Sequence, residues 1–407
     1  MVFRISLFLH IFVRLYIYTT IMQFFDNILN HYSWHGTALI CVVLLLFIVQ
    51  FYYYAIRYDR ISRFRLLRRK ALREPNPPIS VIVVVRGENE VFLTEELPAL
   101  LAQEYSHYEV VVVYVGGDVD YYAELQRVKE NYSNMRLTKL GGNDRLYITT
   151  KQALNIGIKS AQYDNLLFTT TGACPMSEMW VSIMAKGFER GSVVIGSMLP
   201  HFEGNGIKNY LMRMTEFHRQ RNAAAATIKG RPYYAPRCNF GFTRELYETT
   251  RGFNHLNLDS GENDLYLQLL MTCGGSAAAV MSPRSAVGEH RDSSWHEWLE
   301  GMRYDSITMR YYKPWMLSPQ RHEQMTRILF LLCAIVAIVV MPLEVKIGVA
   351  LLVLLRYLLV VWSTRRTATK MGEQGVAMRY WIFDIAGPLI EYIISLKRHD
   401  GKAKVWR

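Results

Sequence analysis

The chain has few cysteines, and their placement argues against two structural classes. Only five occur in 407 residues, and none of them forms a CxxC pair. Two of the five, Cys41 and Cys333, lie inside apolar runs. Structural zinc sites and disulfide frameworks need cysteines at close or regular spacing. The sequence therefore predicts neither kind of site.

Familiar catalytic signatures are also missing. No glycine-rich phosphate loop, GxSxG turn or HExxH helix occurs in the sequence. Five histidines lack the spacing of metal ligands: His201, His218, His255, His290 and His296. We interpret each of them as a satisfied or exposed side chain. The enzyme classes that depend on these signatures are therefore not indicated.

Acidic residues are the minority charge. There are 47 Lys and Arg against 35 Asp and Glu, and the formal net charge of +12 suggests an anionic partner. A cluster of basic residues follows directly on an apolar run: Arg57, Arg60, Arg63, Arg65, Arg68, Arg69 and Lys70. This placement is typical of a cytoplasmic membrane flank attracted to lipid headgroups. Because no nucleic-acid-binding motif accompanies the charge, we predict a lipid bilayer and no nucleic acid as partner.

Hydrophobic residues make up 51% of the chain, and their excess lies near its two ends. Residues 37–56 carry no charge and are numerous enough to cross a bilayer. We predict a transmembrane helix over residues 35–57, followed by a basic juxtamembrane linker over residues 58–76. Three tyrosines at 52–54 fit an interfacial aromatic belt.

Another apolar segment, residues 1–34, precedes this helix. It is interrupted by Arg4 and Arg14 and has no small-residue cleavage site, which argues against removal as a signal peptide. A signal-like segment, an interfacial helix and a weak membrane span all fit the pattern. Met22 is an alternative start, which would make the segment an artefact of gene assignment.

The C-terminal part is apolar again. Two apolar stretches separated by a short turn around Pro342 predict a transmembrane hairpin over residues 326–364. Residues 380–397 form a shorter stretch with two acids and a proline, which predicts an interfacial or re-entrant helix. Residues 398–407 are a basic tail. The pattern predicts a multi-pass protein of the cell (inner) membrane with its main domain in the cytoplasm.

Residues 77–315 alternate between apolar runs and amphipathic stretches. The pattern predicts strands over 79–85, 108–115, 135–140 and 165–169, and helices over 93–102, 121–131 and 150–160. Such alternation with short links is typical of an α/β domain with a mostly parallel sheet flanked by helices. Ligands of these sheets bind at the carboxyl ends of the strands.

Residues that can carry chemistry follow these strands in a definite order. The segments are Val85-Arg86-Gly87-Glu88, Val115-Gly116-Gly117, Lys151-Gln152-Ala153-Leu154, Thr170-Thr171-Gly172, Arg237-Cys238-Asn239-Phe240-Gly241-Phe242 and Ser260-Gly261-Glu262-Asn263-Asp264-Leu265. In order and type they resemble the family-2 glycosyltransferases, membrane-associated inverting enzymes with a nucleotide-sugar-binding α/β domain. The resemblance covers roughly residues 77–312. It implies a nucleotide-sugar donor as partner.

The resemblance also implies roles for individual residues. The donor site would be formed by Arg86, Glu88, Lys151, Thr170, Gly172 and Arg237. Glu262 would be the general base on the acceptor hydroxyl, supported by Asp264, because attack requires removal of a proton as the new bond forms. From the residues alone, Lys151 also fits a solvated helix start, and the two acids also fit a helix N-terminus.

The chain departs from the family at its metal site. Family members usually carry Asp-x-Asp where Thr170 and Gly172 stand, and a carboxylate where Val115 stands. The family is expected to use Mg²⁺ or Mn²⁺, but threonine hydroxyls are weak ligands for such hard cations. We therefore predict no metal ligands, and cationic side chains would have to meet the charge of the departing diphosphate.

A second acidic segment, Asp118-Val119-Asp120, has the spacing of a metal motif. It follows a different strand, at a predicted helix start. Aspartate is a preferred residue for capping a helix N-terminus. We therefore favour a helix cap over a metal site here.

An acceptor groove is predicted on the helix that begins near residue 295. Trp295, Trp298 and Arg303 are its candidate residues. Core packing and anchoring at the membrane surface are the alternatives for the two tryptophans. The family often carries Gln-x-x-Arg-Trp near this point, but Gly301, Tyr304 and Asp305 fall on its positions, and Arg303 is one residue out of register.

These observations leave two functions open. The first is a membrane-bound glycosyltransferase that transfers a sugar with inversion from a nucleotide sugar to a lipid or glycan acceptor at the cytoplasmic membrane face, weakly or without metal. The alternative is a catalytically inactive paralogue that acts as a scaffold or regulator of an active glycosyltransferase partner. Three lost motif elements are the reason that both stay open: Val115, Thr170 with Gly172, and the site at Gly301 and Tyr304.

Overall fold

The computed structural model describes residues 34–66, 77–141, 148–204, 206–255, 261–290 and 294–396. Three predicted segments lie outside these residues: 1–33 with Met22, the linker from 67 to 76, and the tail 398–407. The described residues fall into two compact units. One lies within Met1–Tyr52 and Glu323–Leu358, and the larger one within Tyr53–His322 and Leu359–Arg407.

Ten strands belong to the larger unit. They are β1 Ile79–Arg86, β2 Tyr108–Val115, β3 Met135–Leu140, β4 Asn165–Thr170, β5 Ala173–Pro175, β6 Val193–Ile195, β7 Met198–His201, β8 Phe240–Thr243, β9 Ala277–Ala279 and β10 Val287–His290. The four longest predicted strands therefore form at the predicted places. β2 and β3 match their predicted bounds, while β1 and β4 each continue one residue further.

Helices cover most of the remaining described chain. They are α1 Trp34–Phe51, α2 Asp59–Arg63, α3 Leu97–Leu101, α4 Val119–Asn131, α5 Thr150–Ser160, α6 Trp180–Phe188, α7 Ile207–Ile228, α8 Arg244–Thr249, α9 Leu265–Thr272, α10 Trp295–Ser306, α11 Pro314–Val340, α12 Leu343–Met371 and α13 Tyr380–Leu396. Tyr52–Tyr58 and Phe92–Glu96 are π-helical, and Gly252–His255, Pro283–Ser285 and Ile307–Tyr311 are 3-10 turns. The single helix predicted over 93–102 is thus a π-helical turn followed by the short α3.

The main sheet has seven strands in the order β3-β2-β1-β4-β8-β6-β9. β1, β2, β3 and β4 run parallel to their neighbours, whereas β8 is antiparallel to β4 and to β6. A smaller sheet pairs β5, β10 and β7. Helices pack on both sides of the main sheet. The predicted class, a mostly parallel sheet flanked by helices, is confirmed.

Two apolar clusters hold the sheet between its helices. Val81 and Val83 of β1 point to the cluster that contains Trp180 of α6. Ile82 points to the opposite cluster, with Leu154 of α5 and Phe168 of β4. Because successive residues of a strand face opposite sides, a strand covered on both faces must be apolar throughout. This requirement explains the continuous valine-rich runs.

Three helices are long and apolar enough to cross a membrane: Trp34–Arg63, which includes the π-helical turn, Pro314–Val340 and Leu343–Met371. The last two extend beyond the predicted hairpin at 326–364, because polar turns continue each helix beyond its apolar part. Within the smaller unit, Phe330 packs beside Val43. Gln50 accepts hydrogen bonds from the buried Arg356, the shorter of which is 3.0 Å.

The last described helix, α13, is amphipathic. Its buried face includes Tyr380 and Phe383, which are fully buried in the larger unit. A stripe along the other face is exposed and apolar: Trp381, Ile385, Leu389 and Tyr392. The spacing of three or four residues places these side chains on one side of the helix.

Candidate active site at the carboxyl ends of the central strands

A cleft of about 240 Å³ opens where β1 and β4 end. Arg86 lines it from the end of β1, and residues 169–171 line it from the end of β4. Thr150 contributes from the first turn of α5. Arg237 and Glu262, which are distant in sequence, complete its polar wall. The cleft lies where an open α/β sheet is expected to bind its ligand.

One side of the cleft is aromatic. Phe168, Phe240, Phe242 and Phe253 line it, together with Leu154. The rings of Phe168 and Phe242 stack with their centroids 4.7 Å apart. A flat apolar surface beside cationic groups suits a ligand that has both a ring and an anionic part.

Arg237 joins two carboxylates at the cleft. Its Nε lies 3.1 Å from Oε1 of Glu262, and its Nη2 lies 3.2 Å from Oδ1 of Asp305. Burial acts to lower the pKa of Arg237, but Asp305 and then Glu262 outweigh it, so the pKa is raised. The guanidinium is therefore a fixed positive charge. The other oxygen of Glu262, Oε2, is buried and has no hydrogen-bond partner within the described ranges, which omit 256–260.

Asp264 has a different environment. It caps the start of α9, where its Oδ1 accepts a hydrogen bond from the Leu265 amide at 2.6 Å. Its Oδ2 accepts hydrogen bonds from the hydroxyls of Thr308 and Tyr312. Both oxygens are thus used in fixing α9 to the turn at Ile307–Tyr311, and the predicted supporting role in catalysis stays a prediction.

The remaining donor-site candidates lie near the start of α5 and the end of β1. Arg86 donates to the Ile148 carbonyl at 2.9 Å and to the Thr150 hydroxyl at 3.3 Å. Lys151 is buried in the first turn of α5. The helix is fixed there by a capping box between Thr149 and Gln152, which is a strong N-terminal signal.

Glu88 is exposed beside Asp118. A hydrogen bond with the Asp118 side chain raises the pKa of Glu88. Asp118 caps α4 by accepting a hydrogen bond from the Tyr121 amide at 2.6 Å. The interpretation of Asp118-Val119-Asp120 as a helix start is therefore confirmed.

The turn after β4 is held by its backbone. Gly172 has a φ of 82°, a left-handed conformation that favours glycine. Its amide donates to Oε1 of Glu96 at 2.9 Å, and its carbonyl accepts from the His290 amide at 2.8 Å. Among the described residues, Oγ1 of Thr170 is buried without a hydrogen-bond partner.

The side chains at this turn do not fit a divalent metal. The residues at 170 and 171 offer only neutral hydroxyls, and residue 172 has no side chain. Glu262, a carboxylate that lines the cleft, is paired with Arg237, and Glu96 accepts a hydrogen bond from the Gly172 amide. In the part of the chain that the structure describes, no group of three or more His, Cys, Asp or Glu is arranged to hold a metal ion. Hard cations prefer several carboxylate oxygens.

The predicted acceptor-groove residues are not among those that line the cleft. Trp298 is buried in an apolar cluster with Met302 of the same helix and Ile390 of α13, and its Nε1 donates to Glu216 at 3.0 Å. Trp295 packs against Trp298 with ring centroids 5.1 Å apart. Arg303 forms an ion pair with Glu300. The acceptor role of all three stays a prediction.

Two residues that contribute to the site were not predicted. Asp305 falls on an eroded family motif, and only the fold shows that it contacts Arg237. Glu96 has a signal that could have been used: it is an acid on the apolar face of a predicted helix, next to Leu97 and one turn from Leu100. A buried acid at such a position commonly has a specific partner.

Comparison with known proteins gives a family for part of the chain. Residues 80–251 match the model of the family described as Glycosyl transferase family 2. A search of the curated proteins found no match. Among solved structures, the chain is similar to the mannosyltransferase PcManGT from Pyrobaculum calidifontis, solved in complex with GDP-Man and Mn²⁺. The two are 18% identical with a TM-score of 0.48, and the match covers 86% of this chain and 99% of that one. Residues 80–251 therefore form a family-2 glycosyltransferase-like region of the chain.

Proposed function

We propose that this protein is a membrane-bound glycosyltransferase. It transfers a sugar with inversion from a nucleotide sugar to a lipid or glycan acceptor at the cytoplasmic face of the membrane. The observation that supports this most directly is the meeting of Glu262, Arg237 and residues 169–171 in one cleft. These residues come from three parts of the chain and face each other where the parallel strands end.

Glu262 supplies the base in this proposal. An acceptor hydroxyl attacks the anomeric carbon of the donor from the side opposite the diphosphate, so the sugar carbon inverts as the old bond breaks. Oε2 of Glu262 takes the proton of that hydroxyl, since it is the oxygen that Arg237 does not hold. General bases typically contribute 10²–10⁴-fold, on the order of several kcal/mol.

Cationic side chains receive the diphosphate. Arg86 and Arg237 both line the cleft, together with residues of the turn after β4. Arginine presents a planar fork of donors that suits phosphate oxygens. Since the side chains at the turn do not fit a metal, the charge of the departing group falls on these residues and on Lys151. Loss of one electrostatic stabiliser typically costs about 3–4 kcal/mol, so we expect slow turnover.

In this proposal the protein is attached to the membrane, with its α/β domain on the cytoplasmic side. The three long apolar helices support membrane attachment, and the arginines between 57 and 65 support a cytoplasmic position for the domain. The exposed stripe of α13 adds an amphipathic surface to the same unit as the cleft. A lipid-linked acceptor would reach the cleft from the bilayer surface.

The first test is donor binding by the full chain in detergent. A panel of nucleotide sugars is added with Mg²⁺, with Mn²⁺ or with a chelator, and the thermal midpoint is followed. We expect one nucleotide class to raise the midpoint equally with and without metal. A shift that requires metal would contradict the account of the turn, and no shift with any donor would contradict the proposed enzyme.

A variant of the base completes the test. Glu262→Gln should retain donor binding and lower transfer by about 10²–10⁴-fold, because the amide cannot accept the proton. Glu297→Gln is the matched control, since Glu297 is exposed on α10. Equal transfer by wild type and Glu262→Gln would remove Glu262 from the mechanism.

An inactive scaffold is the second candidate, and the ion pair between Glu262 and Arg237 is the observation that favours it. A base held by a cation is less able to accept a proton. Introducing Thr170→Asp with Gly172→Asp separates the two functions. The space beside Gly172 is open within the described chain, and aspartate tolerates left-handed backbone better than most residues. Transfer gained only by this variant would favour the scaffold.

A further inference from the structure

Glu96 is a buried acid that the proposed mechanism does not use. It ends the π-helical turn Phe92–Glu96 and is 4% exposed. Its neighbours Phe92 and Leu97 belong to the apolar cluster under the sheet. An ionisable side chain in such a place is unfavourable unless it has a specific partner. The partner found here is the backbone of the turn that borders the cleft.

The contact is a hydrogen bond to a single amide. The Gly172 N–H donates to Oε1 of Glu96 at 2.9 Å, across 76 positions of sequence. Oε2 has no hydrogen-bond partner within the described ranges. Burial raises the pKa of Glu96 to about 7, the Gly172 bond acts to lower it, and Glu95 raises it further. The other titratable groups facing it are Cys174 of β5 and Tyr121 of α4.

This bond acts together with a second one on the same residue. The Gly172 carbonyl accepts from the His290 amide at 2.8 Å, in line with the pairing of β5 and β10. Gly172 is thus held on both sides while its φ is 82°. The two preceding residues, Thr170 and Thr171, line the cleft. Fixing Gly172 therefore fixes where these two hydroxyls are presented.

We propose that Glu96 is a positioning residue that holds the turn at 170–172 so that the two threonine hydroxyls face an anionic ligand group. The ligand class is a phosphate or diphosphate, which rests on the proposed function. Hydroxyls donate hydrogen bonds to phosphate oxygens but bring no charge. They contribute most when their positions are fixed before the ligand arrives, because no ordering has to occur on binding.

A carboxylate is well suited to this task. An ionised acceptor makes a shorter and stronger hydrogen bond to an amide than a neutral one. Glutamine at 96 would keep an oxygen acceptor without the charge, and alanine would remove the acceptor. Glu95 is adjacent and exposed. Glu95→Gln therefore makes a matched control for a change of charge at this helix.

The experiment is amide hydrogen exchange of the full chain in detergent, followed for the peptide that contains Gly172. In Glu96→Ala this amide should exchange about tenfold faster or more, since its acceptor is lost. In Glu95→Gln it should be unchanged. Wild type, corrected for intrinsic exchange, should lose protection between about pH 8 and about pH 6, and Glu96→Gln should show no such step. Unchanged protection in Glu96→Ala, or a step that persists in Glu96→Gln, would overturn the proposal.

A second measurement separates this proposal from the proposed function. Titration with GDP and with UDP should show binding weakened about tenfold in Glu96→Ala, partly restored in Glu96→Gln and unaffected in Glu95→Gln. If wild type binds neither nucleotide, the proposed function fails while hydrogen exchange still decides the role of Glu96. If Glu96→Ala does not fold, the pH profile of Glu96→Gln provides the answer. Faster exchange at Gly172 with unchanged affinity would refute the ligand-presenting role.

Discussion

Arg237 shows how much one side chain determines at this site. Its guanidinium lies between Glu262 and Asp305, whose carboxylates come from different elements. A bound diphosphate would compete for the same cation and so release Glu262. In the proposed mechanism, the pair would therefore link the arrival of the donor to the availability of the base.

Replacement of Arg237 should affect both stability and binding. Arg237→Ala leaves Glu262 and Asp305 near each other without a cation. We expect a loss of about 1–2 kcal/mol of stability, less than for a fully buried pair, because the Arg237 side chain is 34% exposed. Arg237→Lys should restore part of the stability but not the nucleotide affinity, since an ammonium cannot span both partners. Thermal melts and nucleotide titrations check this, with the exposed Arg231→Ala as control.

Glu96 predicts a pH dependence of stability with a definite sign. Its pKa is raised from 4.5 to about 7 in the folded state. The folded protein therefore binds the proton more tightly than the unfolded chain, and the cost of ionising Glu96 grows as the pH rises from about 4.5 to about 7. Glu96→Gln should raise stability by about 1–3 kcal/mol at about pH 8 and hardly change it at about pH 4, where Glu96 is protonated in both the folded and the unfolded state. A thermal midpoint raised equally at both pH values would contradict this.

At the scale of elements, the helix α13 makes the clearest prediction. Its exposed stripe should lie in the headgroup region of a bilayer. Lipids brominated at shallow acyl positions should quench part of the tryptophan fluorescence of wild type. Trp381→Phe should remove that part, whereas Trp298→Phe should not, because Trp298 is buried in the protein. Equal quenching of wild type and Trp381→Phe would show that the stripe does not meet lipid.

A comparison of predicted and observed helices and strands shows which parts of the fold the sequence could predict. β2, β3 and α5 have the predicted bounds, because buried strands need apolar runs of their own length and α5 begins with a capping box. The π-helical turn at Phe92–Glu96 could not be predicted from the sequence. Its hydrogen bonds span one residue more than those of an α-helix, and the apolar spacing of the sequence does not distinguish the two. The prediction of one α-helix over 93–102 was therefore wrong in its first half, which is π-helical.

The candidate site was predictable only in part for a related reason. Residues that follow parallel strands meet at one edge of the sheet, so the placement of Arg86 and Thr170 could be expected. Asp305 and Glu96 act through partners far away in sequence, and their contacts depend on the packing of α10 and of the π-helical turn. Such contacts have no local pattern.

At the scale of the whole molecule, apolar helices from the N-terminal and C-terminal parts of the chain belong to the smaller compact unit, which lies within Met1–Tyr52 and Glu323–Leu358. Within it, Gln50 accepts two hydrogen bonds from Arg356, which is 2% exposed, and donates to the Glu323 carbonyl at 3.2 Å. Gln50→Leu should destabilise this unit by about 1–3 kcal/mol, because the buried guanidinium of Arg356 loses the two hydrogen bonds that Gln50 accepts. Thermal melts in detergent check this, with the exposed Leu45→Ala as control. Equal melting of the two variants would contradict the role of Gln50.

The pairing of Gln50 with Arg356 has a consequence for biogenesis. An arginine in the middle of an apolar helix opposes insertion by about 2.5–3.5 kcal/mol when it enters alone. The helix α12 is synthesised some three hundred positions after Gln50, and the two side chains are 306 residues apart. If these helices cross the bilayer as proposed, the N-terminal helix has to be in place before Arg356 can pair with Gln50, because the α/β domain is synthesised between the two. Removing that helix should leave the C-terminal hairpin poorly inserted, even though the hairpin itself is intact.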